Sequence, residues 1–381
     1  MQKEKIVPDI RFKGFDENFR IIKLNEIAEY RNGKGHENFV LEKGKYILVN
    51  SKFISSNGSQ CKYTNINISP LLKNDIVMVL SDIPGGKALA KTFLIENDDK
   101  YALNQRICAL TSKSTSPIYL NIILNRNSQL LALDDHVNQT NINRQQVMNL
   151  QLLIPSYVEQ EKIGKLFSSL DLIIESQKSK LEKLQRIKQS LLNKMFVSDD
   201  QKIPEIRFKG FHQEWKRAML SDCLDYERPD KYIEKLPLLE FGQIPVLTAN
   251  KSFKLGYTES QNYYAKGDCI LFDDFTLDSK YVDFPFMVVS SALKILSLKN
   301  SQDSLPYYFA ILKNNTFESQ GHARHYISIV AKTPIKISNS IEERNQIGLL
   351  FTVLDSIIHS QEQKLEKLNN IKKALLEKMF C

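Results

Sequence analysis

Lys180-Leu181-Glu182-Lys183-Leu184 returns as Lys364-Leu365-Glu366-Lys367-Leu368, 184 residues later, inside two blocks that run from Ile163 to Phe196 and from Ile347 to Phe380. About 22 of the 34 positions in those blocks are identical. A second repeat precedes each block. Pro8-Asp9-Ile10-Arg11-Phe12-Lys13-Gly14-Phe15 returns as Pro204-Glu205-Ile206-Arg207-Phe208-Lys209-Gly210-Phe211, at an offset of 196. Self-similarity at this level dictates architecture. The chain is two tandem halves, each a lead-in, a globular segment and a repeated block, and the second globular segment is 12 residues shorter (196 against 184). Between the blocks the halves do not resemble each other, so one frame is used twice around different cargo. Two different readers on one frame is the natural inference.

The repeated blocks predict long helices. Ser156 with Glu159, and Ser340 with Glu343, fit the Ser-x-x-Glu capping box that satisfies orphan backbone donors at a helix start. From there a 4-3 spacing selects Ile163, Phe167, Leu170, Ile174, Gln177, Leu181, Leu184, Lys188, Leu191 and Met195. Its repeat selects Ile347, Phe351, Leu354, Ile358, Gln361, Leu365, Leu368, Lys372, Leu375 and Met379. A run of about 40 residues at 1.5 Å per residue makes a rod on the order of 60 Å, longer than one small domain covers. The plain alternative is an amphipathic helix on its own domain; the sharper expectation is that the two copies pair with each other, antiparallel. Such pairing returns Phe380 to the neighbourhood of Arg11 to Phe15, so that each lead-in meets the end of a helix. It also sets Gln177 beside Lys372 and Gln361 beside Lys188, since polar seam positions specify register. Lys178, Lys180, Lys183 and Lys188 read as solvated flanks of the seam rather than a DNA stripe.

Composition is that of an ordinary globular chain. Of 381 residues, 42% are apolar and 25% charged, and 52 Lys plus Arg against 44 Asp plus Glu give a net charge of +8. A basic balance permits a polyanionic partner without requiring one. Five scattered cysteines, Cys61, Cys108, Cys223, Cys269 and Cys381, offer neither a disulfide framework nor a CxxC metal pair. Met1 to Phe15 carries no apolar stretch of the signal-peptide kind, and no long apolar run occurs elsewhere. A cytoplasmic protein with no membrane contact is expected.

The globular segments are mixed. Tyr46 to Val49, Asp75 to Leu80, Lys91 to Ile95 and Arg106 to Leu110 read as strands, followed by a helix near Ile118 to Leu133. In the second half Cys269 to Phe272, Phe286 to Val289 and Ala292 to Leu298 read as strands, followed by a helix near Tyr307 to Lys313. Little in them points to catalysis. Ser81-Asp82-Ile83-Pro84 lacks the second proline and the aromatic of a base-methylating turn. The Gly-Lys pairs at 33–34, 44–45 and 86–87 lack the rest of a phosphate-binding loop. His322 and His325 have no companion ligands at metal spacing. Asp273, Asp274 and Asp278 could hold Mg²⁺ as a nuclease cluster does, or cap the strand Cys269 to Phe272. No catalytic residue, metal site or cofactor is expected.

Binding chemistry is better represented. Arg, Lys, Asn, Gln and aromatics in polar loops are what phosphate and base-edge contacts require. In the first half these are Arg31, Asn32, Lys34, the 51–60 loop, Lys87, Asn138, Gln139 and Asn141. In the second they are Arg228, Lys231, Lys251, Lys280, Arg324, His325 and Tyr326. For each one a solvated surface loop is the competing reading.

These residues together resemble the specificity subunits of type I restriction-modification systems. The resemblance rests on the Pro-x-Ile-Arg-Phe-x-Gly-Phe lead-ins and the Ile154-Pro155 to Ile163 helix entry with Glu159-Gln160-Glu161-Lys162. It rests also on the Lys-Leu-x-x-Ile-Lys-x-x-Leu-Leu-x-Lys-Met-Phe endings, and it covers essentially the whole chain. The second helix entry departs, with Glu343-Arg344-Asn345-Gln346 and with Ile337-Ser338 where a proline is usual. The resemblance implies an α+β fold of two strand-rich target-recognition domains separated by two long helices paired as an antiparallel coiled coil, with pseudo-two-fold symmetry. The divisions are 1–155, a first spacer helix 156–198, 199–339, and a second spacer helix 340–381. It implies a bipartite double-stranded DNA target whose spacing follows helix length, two modification (methyltransferase) subunits as partners, and restriction (ATP-dependent endonuclease) subunits joined through the complex. Two rivals are a self-contained methyltransferase or nuclease and a coiled-coil adaptor with protein ligands only. The recognised bases depend on the poses of a few loop side chains.

Overall fold

The computed structural model describes residues 7–197, 201–235, 237–248, 252–315, 326 and 329–380. By internal contacts the chain divides into two compact units, Met1–Ser176 with Leu365–Cys381, and Gln177–Lys364.

In the first unit the strands are β1 (Arg20–Lys23), β2 (Ala28–Asn32), β3 (Tyr46–Val49), β4 (Lys62–Thr64), β5 (Ile76–Val79) and β6 (Ser81–Asp82). They continue with β7 (Thr92–Leu94), β8 (Tyr101–Leu103), β9 (Ile107–Ser112), β10 (Thr140–Asn141) and β11 (Gln151–Ile154). Helix α1 spans Pro117–Leu124 and helix α2 spans Tyr157–Met195. A four-stranded sheet runs β2-β9-β5-β7, a three-stranded one β4-β3-β8, and β1-β11 and β10-β6 form two ribbons. The four-stranded sheet is covered on both faces. Ile76, Met78, Cys108 and Leu110 point into a core shared with α1 and the start of α2, while Val77, Val79, Ile107 and Ala109 point into a second core behind β3 and β8. Two-sided burial is why Ile76 to Val79 is unbroken apolar sequence.

The second unit has β12 (Lys216–Met219), β13 (Leu224–Glu227), β14 (Ile244–Leu247), β15 (Lys254–Thr258), β16 (Cys269–Asp273) and β17 (Ser279–Val282). Then come β18 (Met287–Val288), β19 (Leu293–Leu298), α3 (Leu305–Asn314), β20 (Pro334–Ile337) and α4 (Ile341–Met379). Its sheets run β13-β19-β16-β17, β15-β14-β18 and β12-β20. Apart from the β10-β6 ribbon, which has no counterpart among the described strands, this is the order of the first unit, and the central strands again face two cores. Two segments with no visible sequence similarity therefore share one topology. The expected helix near Ile118 to Leu133 is interrupted: α1 stops at Leu124, Arg126 takes a left-handed φ of 55°, and Asn127 caps a separate turn by accepting from Gln129 N–H.

Each long helix is 39 residues, about 58 Å at 1.5 Å per residue. The first part of α2 and the last part of α4 belong to the first unit, where Asp171 pairs with Lys372 and the rings of Phe167 and Phe380 lie 5.8 Å apart. The remaining parts belong to the second unit, where Lys188 pairs with Asp355 and Phe196 lies 5.8 Å from Phe351. In both, one helix ascends as the other descends. The pairs correspond at the offset of 184. Gln361 donates through Nε2 to the side-chain oxygen of Gln177, its own counterpart. The expected register is thereby corrected: Lys372 meets a residue six positions before Gln177, and Lys188 meets Asp355 instead of Gln361. A lysine ammonium at a half-buried seam needs an anion, and two amides satisfy each other as donor and acceptor.

The lead-ins tie the helices together. Ile10 N–H donates to the carbonyl of Lys378 in the last turn of α4, and Ile206 N–H donates to that of Lys194 in the last turn of α2, both at 2.9 Å. Arg11 forks onto Glu159 in the first turn of α2 (Nε–Oε1 and Nη2–Oε2 both 2.8 Å), and Arg207 onto Glu343 of α4 (2.6 and 2.9 Å). Each lead-in thus satisfies an orphan carbonyl at one helix end and holds a carboxylate at the other helix start. The turn after it carries glycine at φ 91° (Gly14) and 100° (Gly210), a backbone region in which glycine has no steric penalty. The capping boxes are accordingly revised. Ser340 Oγ does accept from Glu343 N–H at 3.2 Å, but both glutamates engage the lead-in arginines. At the departing second entry, Arg344 forks onto Asp303 at 2.7 and 2.8 Å, whereas in the first unit Gln160 accepts from Ser116 N–H at 2.9 Å.

Candidate nucleic-acid interface

In the first unit, β2 and β5 end and β9 begins at the same edge of the four-stranded sheet, where Asn32 pairs with Cys108 and Val79 with Ile107. The loops at that edge form one rim. It holds residues 32–36 after β2, 83–91 after β6, the 104–106 turn before β9, and 134–141, since β10 pairs with β6. Asp82 shapes the 83–89 loop by accepting from the N–H groups of Ile83, Ala88 and Leu89 at 2.9, 2.7 and 3.1 Å. Gly86 lies against that carboxylate, where a Cβ would come 2.1 Å from an oxygen.

Lys34, Lys87, Asn138, Gln139 and Asn141 all reach this rim exposed. Their side chains are differently engaged. Asn138 is tied to Asp135 through its backbone and amide (2.8 and 3.0 Å), and Gln139 donates to Ser81 Oγ at 2.7 Å. Hydrogen bonds from Asn138 and Val137 hold the Asp135 carboxyl down at about 2. Asn32 accepts from Tyr30 OH at 2.7 Å. Arg31 has a structural partner within the fold. Its guanidinium pairs with Asp75, whose side chain is 0% exposed, and donates to the Pro70 carbonyl at 3.0 Å. Asp75 also accepts from Thr111 Oγ1 at 2.6 Å and Leu72 N–H at 2.9 Å, so the arginine completes a buried carboxylate site. The 51–60 loop begins with a short helix, Ser51–Ser55, capped by Asn50.

Sequence reasoning passed over Gln105, Arg106 and Arg126. Arg106 is the last residue of the β8–β9 turn, and Arg126 donates to the Lys87 carbonyl at 2.7 Å. The available signal was Asn104-Gln105-Arg106, a polar triplet between two apolar runs, which marks a turn.

In the second unit Arg228, Lys231 and Lys280 are exposed. Arg228 reaches Asp230 (Nε–Oδ2 3.0 Å) and Lys280 lies 3.4 Å from Asp278. Lys251, Arg324 and His325 lie outside the described residues, as does His322. Tyr326 is corrected from surface reader to core. It is 2% exposed, stacks on Tyr226 with centroids 5.3 Å apart, and burial pushes its phenol up. The three aspartates of the suggested nuclease cluster are engaged separately. Asp273 accepts from Phe275 N–H (3.0 Å) and Thr276 Oγ1 (2.6 Å), Asp274 pairs with buried Lys294 at 3.1 Å, and Asp278 pairs with Lys313. That is the strand-capping arrangement. Among the described residues no group of three His, Cys, Asp or Glu could hold a metal ion, and no helix is long and apolar enough to cross a membrane.

Two units of one topology, with unlike loop sequences and a repeated long helix each, define a duplicated architecture. The model of the type I restriction modification DNA specificity domain matches residues 16–186 and 212–370. The chain belongs to that family and carries the domain twice. It is 37% identical over 135 residues to the type I restriction enzyme EcoR124I/EcoR124II specificity subunit of Escherichia coli, covering 34% of this chain and 33% of that one. It is 24% identical over 265 residues to a protein of Methanocaldococcus jannaschii named as the type I restriction enzyme MjaX specificity subunit, covering 63% and 60%. The matches therefore span about a third and three fifths of those relatives. The crystal structure of a type I restriction-modification system S subunit from M. genitalium superposes with a TM-score of 0.74 at 16% identity, over 98% of this chain and 99% of that one, which shows the same fold.

Proposed function

We propose that this chain is the DNA sequence-specificity subunit of a type I restriction-modification complex. Each strand-rich domain reads one half of a bipartite double-stranded target. The paired helices set the unread spacer and dock two modification subunits, through which restriction subunits join. Methyl transfer, ATP-driven motion and cleavage belong to those partners, and the assembly works in the cytoplasm. Within the chain, residues 1–155 and 199–339 act as the readers and 156–198 and 340–381 as the spacer helices. Lys34, Lys87, Asn141, Lys231 and Lys280 are contact candidates, with Lys251, Arg324 and His325 added on sequence grounds.

The observation that supports this best is the duplicated topology with unlike loop sequences. The shared strand order supplies the same scaffold twice, while the side chains at the loop tips, which carry base choice, differ. Mapping methylated positions in host DNA with and without this chain tests the reading. A motif of two short specified parts around an unspecified spacer should appear only when the chain is present. A contiguous motif, or one indifferent to the chain, contradicts it.

A further inference from the structure

The β8–β9 turn of the first unit, Asn104-Gln105-Arg106, is held on every side by its backbone. Asn104 N–H donates to the Val49 carbonyl at 3.2 Å, and its side-chain oxygen accepts from His36 N–H at 3.2 Å. Its own carbonyl abuts Gly33, where a Cβ would lie 1.9 Å from the oxygen, so only glycine lets β2 approach this closely. The Arg106 carbonyl accepts from Leu80 N–H at 3.0 Å, next to β6. Arg106 itself sits at φ 62°, a region that disfavours any residue with a Cβ.

A fixed backbone presents a free side chain. Among the described residues neither the Gln105 nor the Arg106 side chain has a hydrogen-bond or ion-pair partner, and both residues are exposed. The other arginines near the turn are taken: Arg31 by Asp75 and Arg126 by the Lys87 carbonyl. The rim around the turn supplies Lys34 and Lys87 as exposed cations suited to phosphates and Asn141 as a polar neighbour. An unpartnered guanidinium fork on a rigid turn, flanked by phosphate-type lysines, is the donor arrangement for the O6 and N7 acceptors of guanine.

We propose that Arg106 is a specificity-determining residue of the first reader and takes a guanine in the half-site that this reader recognises. The inference rests on the reading of the chain as a specificity subunit. It is private to the first reader. The strands that follow the turns, β9 and β19, both have six residues and hold the same place in their sheets, so the counterpart of Arg106 is Ala292, after Ser290-Ser291.

The test uses the full chain in its assembled complex, with Arg106→Ala and Arg106→Gly each replacing the natural residue. The readouts are methylated-site mapping of host DNA and binding to duplexes with single-base changes. One guanine of one half-site should become degenerate, its discrimination falling roughly 5- to 150-fold, with the other half-site intact. Arg106→Gly removes the Cβ from a left-handed position, so it should melt at or above the natural temperature and still lose the discrimination. Several results overturn the proposal: an unchanged motif, a uniform loss over all sequences with a shallower salt dependence, or a lowered melting temperature for the Gly variant accompanying the motif change. Absence of any bipartite motif for the natural chain is distinguishable from these. It would fail the specificity-subunit reading itself.

Discussion

Arg207 and Glu343 show what a repeated motif hides at the level of single residues. The arginine is plain in the lead-in sequence, yet its partner is 136 residues away, and the pair is almost fully buried, with side-chain exposures of 10% and 0%. Removing the arginine strands a carboxylate out of water, which costs about 3 to 5 kcal/mol. Arg207→Ala should therefore lower the urea midpoint of the full chain strongly, and Arg11→Ala should do the same through Glu159. A loss below about 1 kcal/mol would place these pairs with ordinary surface bridges. Charge sequence alone could not tell Arg31, bound to a buried aspartate, from exposed Arg228. Nor could it show that Tyr326 is enclosed by other rings. The loop at 134–139 carries a pH prediction. Its Asp135 carboxyl lies at about 2, below the ordinary value of 3.8, so its contribution is present above the ordinary value and is lost as pH falls toward about 2. The Asn138 amide resonance should hold its native shift down to about pH 3 and then move. Movement centred near 4 would mean that the hydrogen bonds to Asp135 are not made.

Among elements, those with two-sided burial or long periodicity were the most legible, and two edge strands, β7 and β18, were legible as well. Ile76 to Val79 and Cys269 to Phe272 announce themselves as apolar runs because both faces of their sheets are covered. The ribbon β1-β11 is half exposed and its sequence alternates weakly, so neither strand was anticipated. The helical period was legible in the sequence, and most 4-3 positions are less exposed than their neighbours, although Leu192 is more buried than Leu191. The register of the seam was not. Which polar side chains meet depends on a few ångströms of sliding, and the choice falls to complementarity: amide with amide, ammonium with carboxylate. The Gln177–Gln361 contact should therefore appear as a coupling. In a double-mutant cycle, Gln177→Leu and Gln361→Leu should each destabilise alone, while the double variant recovers about 1 kcal/mol over the sum of the two. Additive losses would show that the amides do not interact.

Over the whole molecule, duplication and a common order of strands then helix were legible, and the pairing of the strands into sheets was not. Sequence comparison between the globular segments finds nothing, yet β2-β9-β5-β7 and β13-β19-β16-β17 are the same sheet built twice. Strand order depends on which apolar faces must be covered, a demand that many sequences meet, whereas recognition depends on loop tips that are free to change. If these two copies read DNA independently, exchanging one of them leaves the other's half-site alone. Replacing residues 212–335 with the corresponding segment of another family member, and mapping methylated sites before and after, should change one half of the motif and leave the other half as it was. A change in both halves, or in neither, would contradict it.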